Sequence, residues 1–202
     1  MRTSFLCTGL LLSQLSFAGP VDAGGLNLFS FQVAEKEKRN LAPQVGDIAK
    51  DFKLKATDGK SYKLKELSKD KLVVLVVLRG FPGYQCPACT RQAANFLAGI
   101  NAIKKEGAIL VFVYPGPANN LEQKAGEFLA DSVLPDGAIM LLDPDYQFTN
   151  LYGLRWDAQN ETAYPSTFII DSHLKIRFAK ISKTHGGRTS SQQVLSALKA
   201  LK

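Results

Sequence analysis

Cys86 and Cys89 stand three residues apart in the run Cys86-Pro87-Ala88-Cys89. Residues i and i+3 are neighbours on a helix surface, so at a helix start both sulfurs face one side. Two sulfurs so placed can close a small disulfide ring and reopen it, which is two-electron thiol chemistry. The first helical turn also leaves backbone N–H groups unpaired, and these groups, with the helix dipole, favour a thiolate at the first cysteine. The composition around the pair agrees. From Leu72 to Lys105 there is no Asp or Glu, while Arg79, Arg91, Lys104 and Lys105 are present. A cysteine there should ionise below the ordinary thiol value of about 8.5. Two blander readings are a zinc site and a pair of inert structural thiols. Zinc finds no second CxxC, and the only histidines are His173 and His185.

The elements on either side must present the sulfurs. Leu72 to Leu78 is an apolar run that suits a buried parallel strand. Pro87 fits the first position of a helix, where its missing N–H costs nothing. Phe96, Leu97, Ile100 and Ile103 mark the buried face of that helix, expected from about 87 to 105. Phe52 to Ala56 and Tyr62 to Leu64 flank Thr57-Asp58-Gly59-Lys60, a hairpin signal. Ala108 to Tyr114 predicts a strand ended by Pro115-Gly116-Pro117, and Asn119 or Asn120 then caps a helix. Ala138 to Leu142 predicts another strand, and Asp143-Pro144 a short helix through Tyr152. Thr167 to Asp171 and Lys175 to Ile181 read as a strand pair, followed by a last helix capped at Ser190 or Ser191. Alternation early and an antiparallel pair late predict a mixed central α/β sheet with helices on both faces and an N-terminal hairpin extension.

At 202 residues, 46% hydrophobic and 21% charged, the chain has enough apolar mass for one folded domain and a leader. The net charge is +7, yet no cluster of Lys and Arg is interleaved with aromatics, so nucleic-acid binding is not expected. Residues 1–18 resemble a secretory signal peptide: Arg2, an apolar stretch from Phe5 to Leu15, then Ser16-Phe17-Ala18 as a cleavage site. Residues 19–42, with Gly24-Gly25 and Glu35-Lys36-Glu37-Lys38-Arg39, read as a linker or mobile N-terminal arm. The folded domain is expected over 43–202. Removal of the leader removes Cys7 and leaves Cys86 and Cys89 alone. An exported chain, periplasmic or extracellular, whose only cysteines form a CxxC carries a site that cycles. A retained leader would associate it with a membrane.

Several stretches resemble one superfamily. Val45-Gly46-Asp47-Ile48-Ala49-Lys50-Asp51-Phe52-Lys53-Leu54, then Asp58-Gly59-Lys60 and Leu64 to Leu67, is similar to the opening of the alkyl hydroperoxide reductase/thiol-specific antioxidant proteins. These are peroxiredoxins and their thioredoxin-like relatives. Asp143-Pro144-Asp145, Leu151-Tyr152-Gly153 and the run from Tyr164 to Asp171 resemble later parts of the same fold. The resemblance implies a thioredoxin-like fold and no cofactor. It also implies a disulfide or hydroperoxide substrate, and a thioredoxin-like or small-thiol electron donor. Its redox segment falls between two subfamilies. Peroxiredoxins carry Pro-x-x-x-Thr/Ser-x-x-Cys; here Pro82 begins that spacing, Cys86 takes the Thr/Ser place and Cys89 matches the peroxide-attacking cysteine. Read as a thioredoxin motif, Cys86 is the nucleophile and Cys89 resolves. Peroxiredoxins also place an arginine where this chain has Pro165. Thioredoxin-like proteins have a cis-proline there, which implies a cis Tyr164–Pro165 bond and a backbone that pairs with substrate.

Lacking that threonine and that arginine, the sequence favours disulfide exchange slightly over peroxide reduction. Supporting candidates are Arg79, to raise the thiolate fraction, and Tyr84 and Gln85, to hydrogen-bond a sulfur or peroxide oxygen. His185, in Thr184-His185-Gly186-Gly187-Arg188, is a candidate proton donor. The acid-free stretch leaves no local carboxylate as a proton relay. Each candidate also has a plain structural reading, as a strand end, loop filler or a flexible turn. Trp156 is placed either along a substrate groove or in the core. Two rivals come from other classes: a copper-binding thioredoxin-like protein using Cys86, Cys89 and His185, and a partner-binding domain without turnover.

Overall fold

A computed structural model describes residues 42–202. The leader and nearly all of the N-terminal arm lie outside the described residues. The chain first forms a hairpin of β1 (Lys53–Lys55) and β2 (Ser61–Lys63), with Leu54 facing Tyr62. Its turn depends on Gly59, whose φ is +80°. A one-turn helix, α1 (Leu64–Leu67), leads to β3 (Leu72–Val77).

The helix after the motif is not continuous. α2 (Pro87–Ala98) stops at Gly99, and α3 (Ile100–Lys105) starts directly after it. A Cβ on Gly99 would come within 3.1 Å of Ser191 Cβ, so the break lies where the last helix begins to pack. Next come β4 (Ala108–Gly116), α4 (Leu121–Phe128), β5 (Ala138–Pro144) and α5 (Gln147–Leu151). β4 runs on through Pro115 and Gly116, which pair in register with Asp143 and Pro144 of β5. Asn120 precedes α4 in a left-handed conformation and makes no side-chain cap. Asp143 instead caps a different helix. Its buried carboxylate accepts from the N–H groups of Phe148 and Thr149 at 2.7 and 3.0 Å. The chain closes with β6 (Ser166–Ile170), β7 (Ile176–Ile181) and α6 (Ser191–Lys199). Ser190 and Gln193 form a reciprocal capping box at the start of α6.

The main sheet has the order β5-β4-β3-β6-β7. β3, β4 and β5 are parallel, while β6 and β7 are antiparallel to their neighbours. β3 is central and buried on both faces, which explains its unbroken apolar run. Val74, Val76 and Leu78 point to one layer with Phe96, Ile103, Val194 and Leu198. Val73, Leu75 and Val77 point to the other, against Phe148, Tyr152, Leu154 and the hairpin residues Phe52 and Leu54. The strand's two-residue period thus serves two cores at once. Phe96 of α2 meets Phe112 of β4 edge-on, 6.3 Å between ring centres, and fixes the motif helix to the sheet. Truncating a buried Phe of this kind typically costs about 3–5 kcal/mol. This is the expected α/β architecture, with helices on both faces and the hairpin beside one edge.

Candidate active site

The carboxyl end of β3 delivers Arg79, then Gly80, then the motif loop. Gly80 is obligatory. Its φ is +77°, and a Cβ there would sit 1.9 Å from the Pro115 carbonyl oxygen. The same carbonyl accepts from the Phe81 N–H at 2.9 Å, so the loop is laced to the end of β4. Gln85 ties the loop from below. Its amide oxygen accepts from the buried Tyr114 hydroxyl at 2.8 Å, and its Nε2 donates to the Lys124 carbonyl at 2.9 Å. Gln85 is therefore an anchor of the loop and is occupied away from the sulfurs.

Cys86 is the residue that caps α2. Its Sγ accepts from the Cys89 N–H at 3.3 Å, as a serine oxygen would at an N-cap. Pro87 takes the first helical position, as expected. Both cysteines are reduced and buried, Cys86 with 3% of its surface exposed and Cys89 with none. A hydrogen bond from the Cys89 thiol is the largest influence pulling the Cys86 thiol down. Burial opposes it, and the Cys89 N–H, Arg188 and Arg79 add to the pull, leaving Cys86 far below the ordinary thiol range. Burial pushes the Cys89 thiol up, and its bond to Cys86 pushes it further. The two shifts run in opposite directions, so Cys86 is the sulfur of the pair that gives up its proton more readily.

Two arginines frame that sulfur. Arg79, 2% exposed, donates Nε to Glu161, Nη2 to the Asn160 carbonyl and Nη1 to the Tyr84 hydroxyl at 3.0 Å. Burial works against its charge, but Glu161 and Tyr84 more than offset this and hold it protonated. It is no solvated strand end. The Tyr84 ring also lies 5.1 Å under the Arg79 guanidinium. Tyr84 therefore positions Arg79 and touches neither sulfur. The second arginine is Arg188, in the connection between β7 and α6. Its Nη1 stands 3.5 Å from Cys89 Sγ and its Nη2 3.8 Å from Cys86 Sγ. Nη1 also donates to Gln92 Oε1 at 3.0 Å, and Nε to the His185 carbonyl at 2.9 Å.

Four expectations need correction. First, no cis peptide bond occurs among the described residues, so Tyr164–Pro165 is trans. Pro165 stands just before β6, where its missing N–H interrupts no ladder bond, and its carbonyl accepts from the Ser182 N–H at 2.8 Å. Second, a carboxylate is present at the site. Glu161 arrives from a distant loop and takes both Arg79 and His185, whose Nε2 lies 2.7 Å from Glu161 Oε1. Third, His185 is exposed and faces Glu161 in place of a sulfur, so it is not poised as a donor to the cysteines. Fourth, no trio of His, Cys, Asp or Glu suited to a metal occurs among the described residues, and Cys86, Cys89 and His185 do not converge on one. Trp156 stacks on Tyr164 with ring centres 4.8 Å apart and meets the His185 ring edge-on at 5.3 Å, walling the outer side of the site. Glu161, Gln92 and Arg188 are the residues sequence reasoning missed. Of these only Arg188 left a signal, as the last residue of the Thr184 to Arg188 stretch singled out for His185.

The chain's relatives carry this site's fold. Residues 45–179 match the model of the AhpC/TSA family. The chain belongs to that family. It is 34% identical over 134 residues to the protein named "Putative peroxiredoxin bcp" of Helicobacter pylori, covering 64% of this chain and 82% of that one. Among solved structures it is similar to peroxidoxin BcpB of Mycobacterium tuberculosis, with a TM-score of 0.64 at 22% identity, covering 79% of this chain and 98% of that one. A peroxiredoxin-like protein from Aquifex aeolicus superposes with a TM-score of 0.65 at 18% identity, over 80% of this chain and 89% of that one. The AhpC/TSA membership makes the chain a thiol-dependent oxidoreductase on a thioredoxin-like fold, with Cys86 and Cys89 as its two candidate reacting sulfurs.

Proposed function

We propose that this enzyme reduces hydroperoxides, with Cys86 attacking and Cys89 resolving. The observation that carries this reading is the burial of both cysteines, Cys86 3% exposed and Cys89 not at all, which suits a substrate of peroxide size and leaves no surface on which a protein disulfide could dock. The trans Pro165, with its carbonyl already bonded to Ser182, also lacks the free backbone a disulfide substrate would pair with. The reading therefore reverses the slight preference for disulfide exchange drawn from the sequence, and the peroxiredoxin names of the relatives support the reversal. The family register would put the attack at Cys89. The ionisation of the pair favours Cys86, because the thiolate is the nucleophile.

The Cys86 thiolate attacks one peroxide oxygen. An S–O bond forms, the O–O bond breaks, and the alkoxide leaves and takes up a proton. Cys86 is now a sulfenic acid. Cys89 gives up its proton and attacks the Cys86 sulfur. The S–S bond forms, and the departing hydroxide takes a proton to become water. A thiol donor then restores the dithiol. The same narrow access favours a small thiol over a thioredoxin-like protein in this step. Cleavage after Ala18 would deliver the enzyme outside the cytoplasm.

Peroxide consumption and insulin reduction, each measured on the wild type, Cys86→Ser and Cys89→Ser, test the proposal. It expects peroxide turnover in the wild type, lost in both variants, with insulin reduction at background. Insulin reduction without peroxide turnover would refute it.

A further inference from the structure

The mechanism leaves a difficulty. Cys89 must ionise to resolve the sulfenic acid, yet it is fully buried, and burial pushes its thiol up. Among the described residues no carboxylate or imidazole hydrogen-bonds its sulfur: His185 is turned to Glu161 and His173 lies exposed in the β6–β7 turn. The group at Cys89 Sγ is the Arg188 guanidinium, 3.5 Å away, and it also reaches Cys86 Sγ at 3.8 Å.

We propose that Arg188 is a catalytic residue serving the two sulfurs in turn, supporting the Cys86 thiolate in the first step and ionising Cys89 in the second. The proposal rests on the dithiol cycle above. While Cys86 is a thiolate, its charge neutralises Arg188, and a second thiolate beside it is unfavourable. Oxidation of Cys86 to the sulfenic acid removes that charge. Arg188 then faces Cys89 as an unneutralised cation in a buried site, where its attraction for a developing thiolate is strongest. The Cys89 proton leaves, the thiolate attacks Cys86, and the hydroxide released accepts a proton to give water. The oxidation of one sulfur thus switches on the other, with no movement of the arginine between them.

The surroundings fit a group held to span both atoms. Gln92, 7% exposed, holds Nη1, and its own Nε2 donates to the Thr189 carbonyl at 3.2 Å, so motif helix and loop are tied together. The His185 carbonyl holds Nε. Arg79 also supports the Cys86 thiolate, but only its backbone N–H bears on Cys89. Its Nε, Nη1 and Nη2 are committed to Glu161, Tyr84 and the Asn160 carbonyl. Lysine at 188 would keep the charge but lose the fork that reaches two atoms.

The test follows the two thiol steps with methyl methanethiosulfonate, a small reagent, by quenched-flow mass spectrometry, so it does not depend on peroxide being the substrate. Cys86 takes the thiomethyl group, releases methanesulfinate and becomes a mixed disulfide; Cys89 then attacks Cys86 and releases methanethiol. The proposal expects Arg188→Met to slow both phases, the second at least about tenfold, the scale of a lost charge-assisted hydrogen bond. Arg188→Lys should recover the first phase more than the second. Circular dichroism and the urea midpoint of the reduced protein show that the variants are folded. A second phase of wild-type rate in folded Arg188→Met overturns the proposal. Lack of peroxide turnover in the wild type would refute the peroxidase reading and leave this result standing.

Discussion

The Cys89 N–H donates to Cys86 Sγ at 3.3 Å, so the first sulfur of the motif closes the N-terminus of the helix that carries the second. One hydrogen bond thereby joins helix formation to thiol chemistry. A thiolate gains more from that position than a thiol does, because the first-turn N–H groups and the dipole both favour negative charge. Proline at the next position keeps the helix start in place without wasting a donor.

The first prediction concerns the pH profile of Cys86. The Cys89 thiol, the Cys89 N–H and both arginines lower its ionisation, so its thiolate should persist well below pH 8.5. Alkylation by iodoacetamide, followed at Cys86 by mass spectrometry, should stay on a plateau from pH 8.5 downward. It should fall only once pH drops through the lowered value. In Cys89→Ser, which exchanges a thiol donor for a weaker hydroxyl acid, the fall should move to higher pH.

Folding stability should carry the same signature. Cys86 loses its proton more readily folded than unfolded, so the unfolded chain binds more protons between the two values. Stability of the reduced protein should therefore rise with pH across the window from the lowered Cys86 value to about 8.5, where the Cys86 contribution levels off. Cys89 is shifted the opposite way and contributes a loss only above about 8.5. Urea midpoints measured under a reducing agent at several pH values check this. Cys86→Ser should remove the rise.

Glu161→Gln should be costly. Arg79 is buried, and the substitution takes away the carboxylate that neutralises it. Breaking one side of a buried pair typically costs about 3–5 kcal/mol, since the partner is left charged and unpaired. A urea denaturation curve should show a loss on that scale. The same change frees His185, whose ring meets Trp156 edge-on, so the Trp156 fluorescence should change as well.

Two glycines with similar backbone should respond differently to alanine. Gly59 has φ +80° and open space around the site of a Cβ, so Gly59→Ala should cost about 1–2 kcal/mol of left-handed strain. Gly80→Ala adds a clash 1.9 Å from the Pro115 carbonyl oxygen, backbone that cannot swing aside. Its melting temperature should fall further, and its thiol reactivity should fall with it, because the loop at Gly80 sets the position of Cys86.

Much of this was legible in the chain. The apolar run ending at Leu78, the Cys-Pro-x-Cys motif and the helix face of Phe96 and Ile103 place the sulfurs at the end of a central strand. Those signals are local, within about twenty residues. The charges that run the site are not. Glu161 and Arg188 lie 82 and 99 residues from the partners they meet, Arg79 and Cys89. No periodicity or spacing encodes such a meeting; it depends on how β6, β7 and their connections cross the sheet. The acid-free segment around the motif was a true observation about sequence and a poor guide to space. The break at Gly99 was equally hidden, since it is set by the approach of Ser191 from the far end of the chain.

The identity of the attacking sulfur is the centre of the account, and trapping of the sulfenic acid reads it directly. One equivalent of hydrogen peroxide is mixed with reduced Cys89→Ser or Cys86→Ser in the presence of dimedone, and the adduct is located by mass spectrometry. The account predicts an adduct on Cys86 in Cys89→Ser and little or none on Cys89 in Cys86→Ser. An adduct that forms rapidly on Cys89 in Cys86→Ser, with none on Cys86 in Cys89→Ser, would contradict it.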